Sequence, residues 1–291
     1  MIDWINKFFG IKNEVSVPTM ISLIVFITGG IINYIFLKIR EFNDRKINRN
    51  TFNLIINEVY KDLKTKEKSI AEFYPQVSVK NEDNFIIKQT SISYLDTIFE
   101  IDFKEIYYSF RKKIFWSFCN KKIKHKAFHK IWAVLRQQKY FEEQIQTSLV
   151  NLSSTFNLHL KQYNSHLEDY RKFNDKLMHQ YYDFSHDKSE IKFVEYLNAQ
   201  DQIWVNWGDL GEIRTFYYYS YNNLIAPMLE LNRKNSDLGI TLESSNLLLN
   251  CHLEYMEIEN TLTSYQKQFI IFHQLYKDNQ RRLKKCLQII K

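Results

Sequence analysis

Eight cationic side chains fall between residues 111 and 130, in RKKIFWSFCNKKIKHKAFHK, and no carboxylate interrupts them. They are Arg111, Lys112, Lys113, Lys121, Lys122, Lys124, Lys126 and Lys130, and His125 and His129 add charge when protonated. Phe115, Trp116 and Phe118 are interleaved with them. Clustered cations attract phosphate groups, and neighbouring aromatics can stack on bases or sit among lipid headgroups. The expected binding set is Arg111, Lys112, Lys113, Trp116, Lys121, Lys122, Lys124, His125, Lys126 and Lys130. Its ligand would be an anionic lipid, a nucleic acid or a nucleotide. The competing reading is a solvated helix face whose other side lies in a core.

Other titratable groups make weaker patterns. His125 and His129 are four apart, which puts them on one helix face at a metal-pair spacing. The intervening sequence, HKAFH, lacks the glutamate of a metalloprotease motif, and the flanking lysines repel a cation, so no metal is expected. His179, Asp183 and His186 form a second helical set beside Asp187 and read as a solvated helix end. Glu100, Asp102 and Glu105 read as a polar face. The aromatics Trp204, Trp207 and Tyr217 to Tyr219 could line a pocket, but core contacts explain them more simply. No Walker loop, dinucleotide turn, nucleophile elbow, kinase motif or zinc cluster occurs. No cofactor is therefore expected, and a non-enzymatic role is favoured.

Arg171 and His179 are the only candidates for catalysis. Asn174 and His179, in NDKLMH, have the spacing of the R-x4–6-H motif of the HEPN ribonucleases, helical bundles that cleave RNA across a dimer. The resemblance covers six residues and puts Asn where the motif has Arg. It implies at most a degenerate, non-cleaving relative.

The elements that must carry these residues are helical. The chain of 291 residues holds 6 Gly and 3 Pro, where average usage gives about 20 and 15. That shortage argues against turn-rich sandwiches, barrels and doubly wound sheets. Aromatics make up 16% of the chain, so it is not a disordered polyelectrolyte despite its net charge of +7. Cys119, Cys251 and Cys286 are odd in number and far apart, which excludes a disulfide scaffold.

Val17 to Leu37 reads VPTMISLIVFITGGIINYIFL, without a charge. As a helix it would be about 31 Å long, one hydrocarbon core. Pro18 suits a first helical turn, and Tyr34 an interface. Lys38, Arg40, Arg45, Lys46 and Arg49 come after it, whereas only Lys7 and Lys12 precede. The positive-inside rule then places the N-terminus outside and the C-terminal part in the cytoplasm. Thr28, Gly29, Gly30 and Asn33 are small or polar and could let spans associate.

Apolar residues at Phe52, Ile55, Ile56, Val59, Leu63, Ile70 and Phe73 predict a stalk helix that stops before Pro75. Residues 75–90 are the most loop-like. Residues 91–118 read as a helix, 126–186 as a long one, 190–206 and 212–233 as shorter ones, and 242–288 as another long one. Leu160, Tyr163, Leu167, Tyr170, Asn174, Leu177 and Tyr181 alternate three and four apart, a seam with one polar member.

The expected fold is all-α: a transmembrane helix, then an elongated cytosolic bundle with long antiparallel helices. The parts are an N-terminal segment at 1–16, a span at 17–37, a basic stalk at 38–74 and a helical domain at 75–291. The expected function is a single-pass membrane effector or signalling protein that oligomerises at the membrane. The Lys, Asn and Ile richness suggests a bacterial source, and the layout resembles small anti-phage and CRISPR-associated effectors. The alternatives are a membrane-tethered nucleic-acid binder and a scaffold that recruits protein partners.

Overall fold

Helix formation in this chain follows the apolar spacing, and its breaks follow Pro, Gly and one aspartate. The computed structural model describes residues 7, 13–81, 85, 87, 93–111, 121–184 and 191–290. The fold is all-α, with no strand among the described residues.

Helix α1 runs over Asn13–Phe73. It begins before the uncharged stretch, so Pro18 lies inside it rather than in its first turn. Proline's missing N–H leaves the carbonyl four residues back without its helical donor. From Ile21 to Leu37 the large apolar side chains are about half exposed or more, on every face of the helix. From residue 52 the pattern becomes one-sided: Phe52, Ile56, Val59, Leu63, Ile70 and Phe73 are buried. The helix ends where Pro75 enters a 3-10 turn, Tyr74–Gln76, because proline disfavours helical geometry in the residue before it. Beyond it, the described residues at 77–81, 85 and 87 are not helical yet are anchored. Val77 and Ile87 are buried, and the Phe85 ring meets Phe156 edge-on.

In the stretch expected as one helix over 91–118, the described residues form two, α2 (Ser93–Glu100) and α3 (Phe103–Arg111). Asp102 makes the break: its Oδ1 accepts the Lys104 backbone N–H at 2.7 Å, a helix N-cap. Helix α4 covers Lys121–Phe184 and α5 covers Ile191–Gly208. The region expected as a helix over 212–233 is interrupted. A 3-10 turn, Gly211–Thr215, leads to α6 (Tyr217–Ser220), a π turn (Tyr221–Ile225) and α7 (Ala226–Lys234). Gly211 has φ +63°, a conformation that favours glycine. Pro227 cannot donate into the helix, and the wider π turn sits just before it. Helix α8 runs over Ile240–Ile290.

The chain divides into two units. The first comprises Met1–Lys61, Ile92–Trp132 and Lys284–Lys291, and the second Asp62–Ser91 and Ala133–Leu283. The first is built on aromatic rings. Phe52 lies 5.5 Å from Phe110, 5.7 Å from Phe128 and 6.4 Å from Trp132, centroid to centroid. Phe103 meets Phe128 and Trp132, and Phe99 also packs on Trp132.

The second unit has the α4 seam at its centre: Tyr163, Leu167, Tyr170, Asn174 and Leu177 are buried. Leu177, Tyr196 and Leu197 form a cluster closed by Phe173, Phe193 and Leu231. Helix α8 contributes Leu248, Cys251, Tyr255, Ile258, Leu262 and Phe269, whereas Leu253 and Met256 face outward. The polar seam residue has a partner the spacing did not indicate, since Gln200 of α5 donates to the Asn174 side-chain oxygen.

Candidate functional site

The first turns of α4 carry the described part of the basic set. Ala127, Phe128 and Ile131 point into the core, which turns Lys122, Lys126 and Lys130 outward as an exposed stripe four residues apart. Its members are about 6 Å apart along the axis. None of the three has a carboxylate partner among the described residues. Lys124 is half-buried and His125 exposed. The backbone of Arg111 and Lys121 is helical, while Lys112, Lys113 and Trp116 lie outside the described residues.

Two local forces oppose this arrangement. Like charges four apart on a helix repel each other, and cations in a first turn oppose the helix dipole. An anion on the stripe would relieve both.

Beside the stripe lies an aromatic–imidazole cluster. The Tyr107 hydroxyl and His125 Nδ1 are 2.7 Å apart, and the His125 and His129 rings are 4.4 Å apart. Phe103 stacks on Tyr107 and tilts against His129. Desolvation, then the neighbouring His125, pulls the His129 pKa below its ordinary value. No group of three metal-ligating side chains occurs among the described residues.

A groove of about 580 Å³ lies between α1 and α3, lined by Glu41, Asp44, Arg45, Asn48, Glu105 and Tyr108 among others. Glu41 pairs with Lys38 and Arg45. Arg49 donates to the Ser109 carbonyl oxygen at 2.7 Å, tying α1 to the end of α3.

The remaining sequence candidates are separate from one another. Thr28, Gly29, Gly30 and Asn33 are exposed, and a Cβ added at either glycine would meet nothing within 4 Å. Arg171 lies over the Trp207 ring, 5.1 Å from its centroid, and 3.8 Å from Glu168. His179 is exposed on the same helix, about 12 Å further along its axis. Asp183 contributes only backbone to the described structure, and His186 and Asp187 lie outside it. Trp204 stacks on Tyr170, Trp207 meets Trp204 edge-on, and Tyr217 is buried against Phe156, so these aromatics build core. Asp102 is exposed and also caps α3.

Sequence reasoning missed a buried polar network. Lys66, only 1% exposed, holds Glu142 at 3.2 Å, and the Tyr276 hydroxyl donates to the other Glu142 oxygen. His273 meets Glu67, His159 meets Glu254, and Asn279 donates to Gln138. A second node links the Tyr196 hydroxyl, Asn232 and Ser244 at 2.8 Å each. The sequence did carry a signal for Lys66: it stands between Leu63 and Ile70 on the apolar stripe of α1.

Comparison with protein-family models, with curated proteins and with solved structures finds no match.

Proposed function

We propose that this chain is a single-pass, membrane-anchored helical protein that acts without catalysis, as an effector or signalling protein assembling at the membrane. One observation carries the reading. Twelve large side chains between Ile21 and Leu37 are exposed, on all faces of a helix that continues unbroken into buried packing. Burying such a side chain is worth about 1.5–3 kcal/mol. Leaving these half exposed to water would forfeit on the order of 10 kcal/mol, comparable to the whole stability of a domain. A hydrocarbon core removes that cost, and a 21-residue helix fits it in length. The cations from Lys38 to Arg49 favour a cytoplasmic location for the chain beyond the span. Gly29, Gly30 and Asn33 offer a face for association between spans.

Two measurements on the full-length protein and on a form lacking residues 1–37 test this. Alkaline extraction of membranes should leave the full chain in the pellet and release the shortened one. Mass determination in detergent should show an oligomer that requires the span. Release of the full chain by alkali refutes the anchor, and a monomer in both forms refutes the assembly.

The exposed lysine stripe of α4 supports a second reading, nucleic-acid binding. It predicts affinity that falls steeply with salt and is lost in the Lys122→Gln, Lys126→Gln, Lys130→Gln variant.

A further inference from the structure

The two units differ in charge. By sequence the first holds 20 Lys and Arg against 9 Asp and Glu, a net +11; the second holds 20 against 24, a net −4. The basic excess therefore belongs to the unit that contains the apolar stretch.

Contacts within the first unit fix where its cations lie. Phe103, at the start of α3, meets Phe128, His129 and Trp132 of α4. Tyr107, one turn later, meets His125. The two helices therefore run antiparallel, and the end of α3 lies beside the start of α4. That end of α3 is held by Arg49, through Ser109, while Phe52, further along α1, meets Phe128 and Trp132. Helices α1 and α4 thus run in the same direction here. The start of α4, with Lys122 and Lys126, points back along α1 toward Leu37.

By this register Lys122 is level with residues 42–46 of α1, roughly 8–14 Å of helix beyond Leu37. Headgroups extend about 6 Å past the hydrocarbon edge, so Lys122 stands about 2–8 Å from their outer limit, within one Debye length at physiological salt. Arg40 and Lys46, both exposed, lie on the same part of α1. The buried Cys286 lies near Lys130, and Lys284 and Lys285 beside it are exposed. The acids on this side do not cancel the excess: Glu41 is held by Lys38 and Arg45, leaving Asp44 and Glu105 in the groove.

We infer that the first unit is an anionic-lipid-binding surface: Arg40, Lys46 and Lys122 stand nearest the bilayer that holds α1 and engage phosphate-bearing headgroups, while Lys126 and Lys130, about 6 and 12 Å further along α4, add only longer-range attraction. The inference rests on the anchor reading. It selects lipid over nucleic acid because the cations cluster in the unit the span enters and are aimed toward the span. A free nucleic-acid site would carry no such constraint. Clustered basic residues next to a membrane gain from each added anionic headgroup and lose that gain in salt.

The test uses the full-length protein in nanodiscs of phosphatidylcholine alone or with one third phosphatidylglycerol. Exposed lysines are acylated briefly and quantified by mass spectrometry. Lys161, Lys176 and Lys267, exposed in the second unit, serve as controls within the chain. The expected result is labelling of Lys46 and Lys122 reduced at least threefold in anionic discs, with less protection at Lys126 and least at Lys130, restored by molar salt, with the controls unchanged. Equal labelling in both discs, or a change shared by the controls, overturns the proposal. Protection that appears only when a short RNA is added to neutral discs overturns it in favour of nucleic acid. A chain that elutes free of the discs overturns the anchor itself, an outcome distinct from equal labelling on a retained chain.

Discussion

Lys66→Ala tests whether the second unit's core depends on its buried ion pair. Lys66 is 1% exposed, and its Nζ lies 3.2 Å from Glu142 Oε2, while Tyr276 donates to the same carboxylate. Removing the lysine leaves Glu142 with one neutral donor at a site where its side chain is only 21% exposed. Breaking a buried pair from one side costs about 3–5 kcal/mol, and the residual water at Glu142 places this case near the lower bound. A loss of about 3 kcal/mol lowers Tm by about 6–12 °C for a unit of this size. Lys66→Met combined with Glu142→Gln removes both charges, keeps the volume and retains an acceptor for Tyr276. That double variant should lie within about 1 kcal/mol of the native chain. Urea titration of the detergent-solubilised full-length protein, followed by far-UV circular dichroism, measures both, and with the Lys66→Met and Glu142→Gln single variants the cycle gives the coupling. A Lys66→Ala loss under about 1 kcal/mol, or a double variant as unstable as the single ones, would refute the reasoning.

Phe52→Ala removes the ring at the centre of the Phe110, Phe128 and Trp132 cluster and should cost about 3–5 kcal/mol in the same titration. Asn232→Leu removes the side chain that bridges the Tyr196 hydroxyl and Ser244; a loss of about 1 kcal/mol is expected, and an unchanged midpoint would show that the remaining Tyr196–Ser244 interaction or water replaces the lost bonds. Burial pushes the Cys251 thiol up to about 12 from 9.0 and Tyr255 up to about 12 from 10.0, where Glu259 adds to the effect. Both neutral forms are favoured by folding, so this stability is complete below pH 9 and is lost as pH rises toward 12; unfolding monitored against pH should show that alkaline loss, and Cys251 should resist thiol reagents at pH 8 until urea is added. His129 has the opposite sign: its lowered pKa favours the neutral ring, so its contribution is present above pH 6.5 and weakens below it, which a His129→Gln variant should abolish in the acid limb.

Where a pattern is local, the sequence showed it. The stripe from Phe52 to Phe73 is periodic and is buried, and the uncharged stretch needs only composition to be seen. Asn174 stood out as the polar member of an apolar seam and is buried there. What escaped is non-local or competitive. Asp102 could continue a helix or cap the next one, and its bond to the Lys104 N–H decides for the cap. The partner of Lys66 lies 76 residues further on, and the tyrosine that shares its carboxylate 210 further on, so no window along the chain reveals them. The lysine spacing at 122, 126 and 130 is visible in the sequence. The direction in which those lysines point depends on α3 folding back along α4, which contacts alone disclose.

Helix α1 runs without a break from Leu37 to Phe52, with neither glycine nor proline between them. Each residue of an α-helix advances the azimuth by about 100°. The face bearing Asn33 is therefore locked in phase with the face bearing Phe52, which the ring cluster clamps. One residue inserted between Leu37 and Arg49 would turn one face about 100° relative to the other, whereas seven would restore the phase to within about 20°. The rotational setting of the apolar stretch is thus written into the length of the linker, and the helix behaves as a keyed shaft rather than a tether.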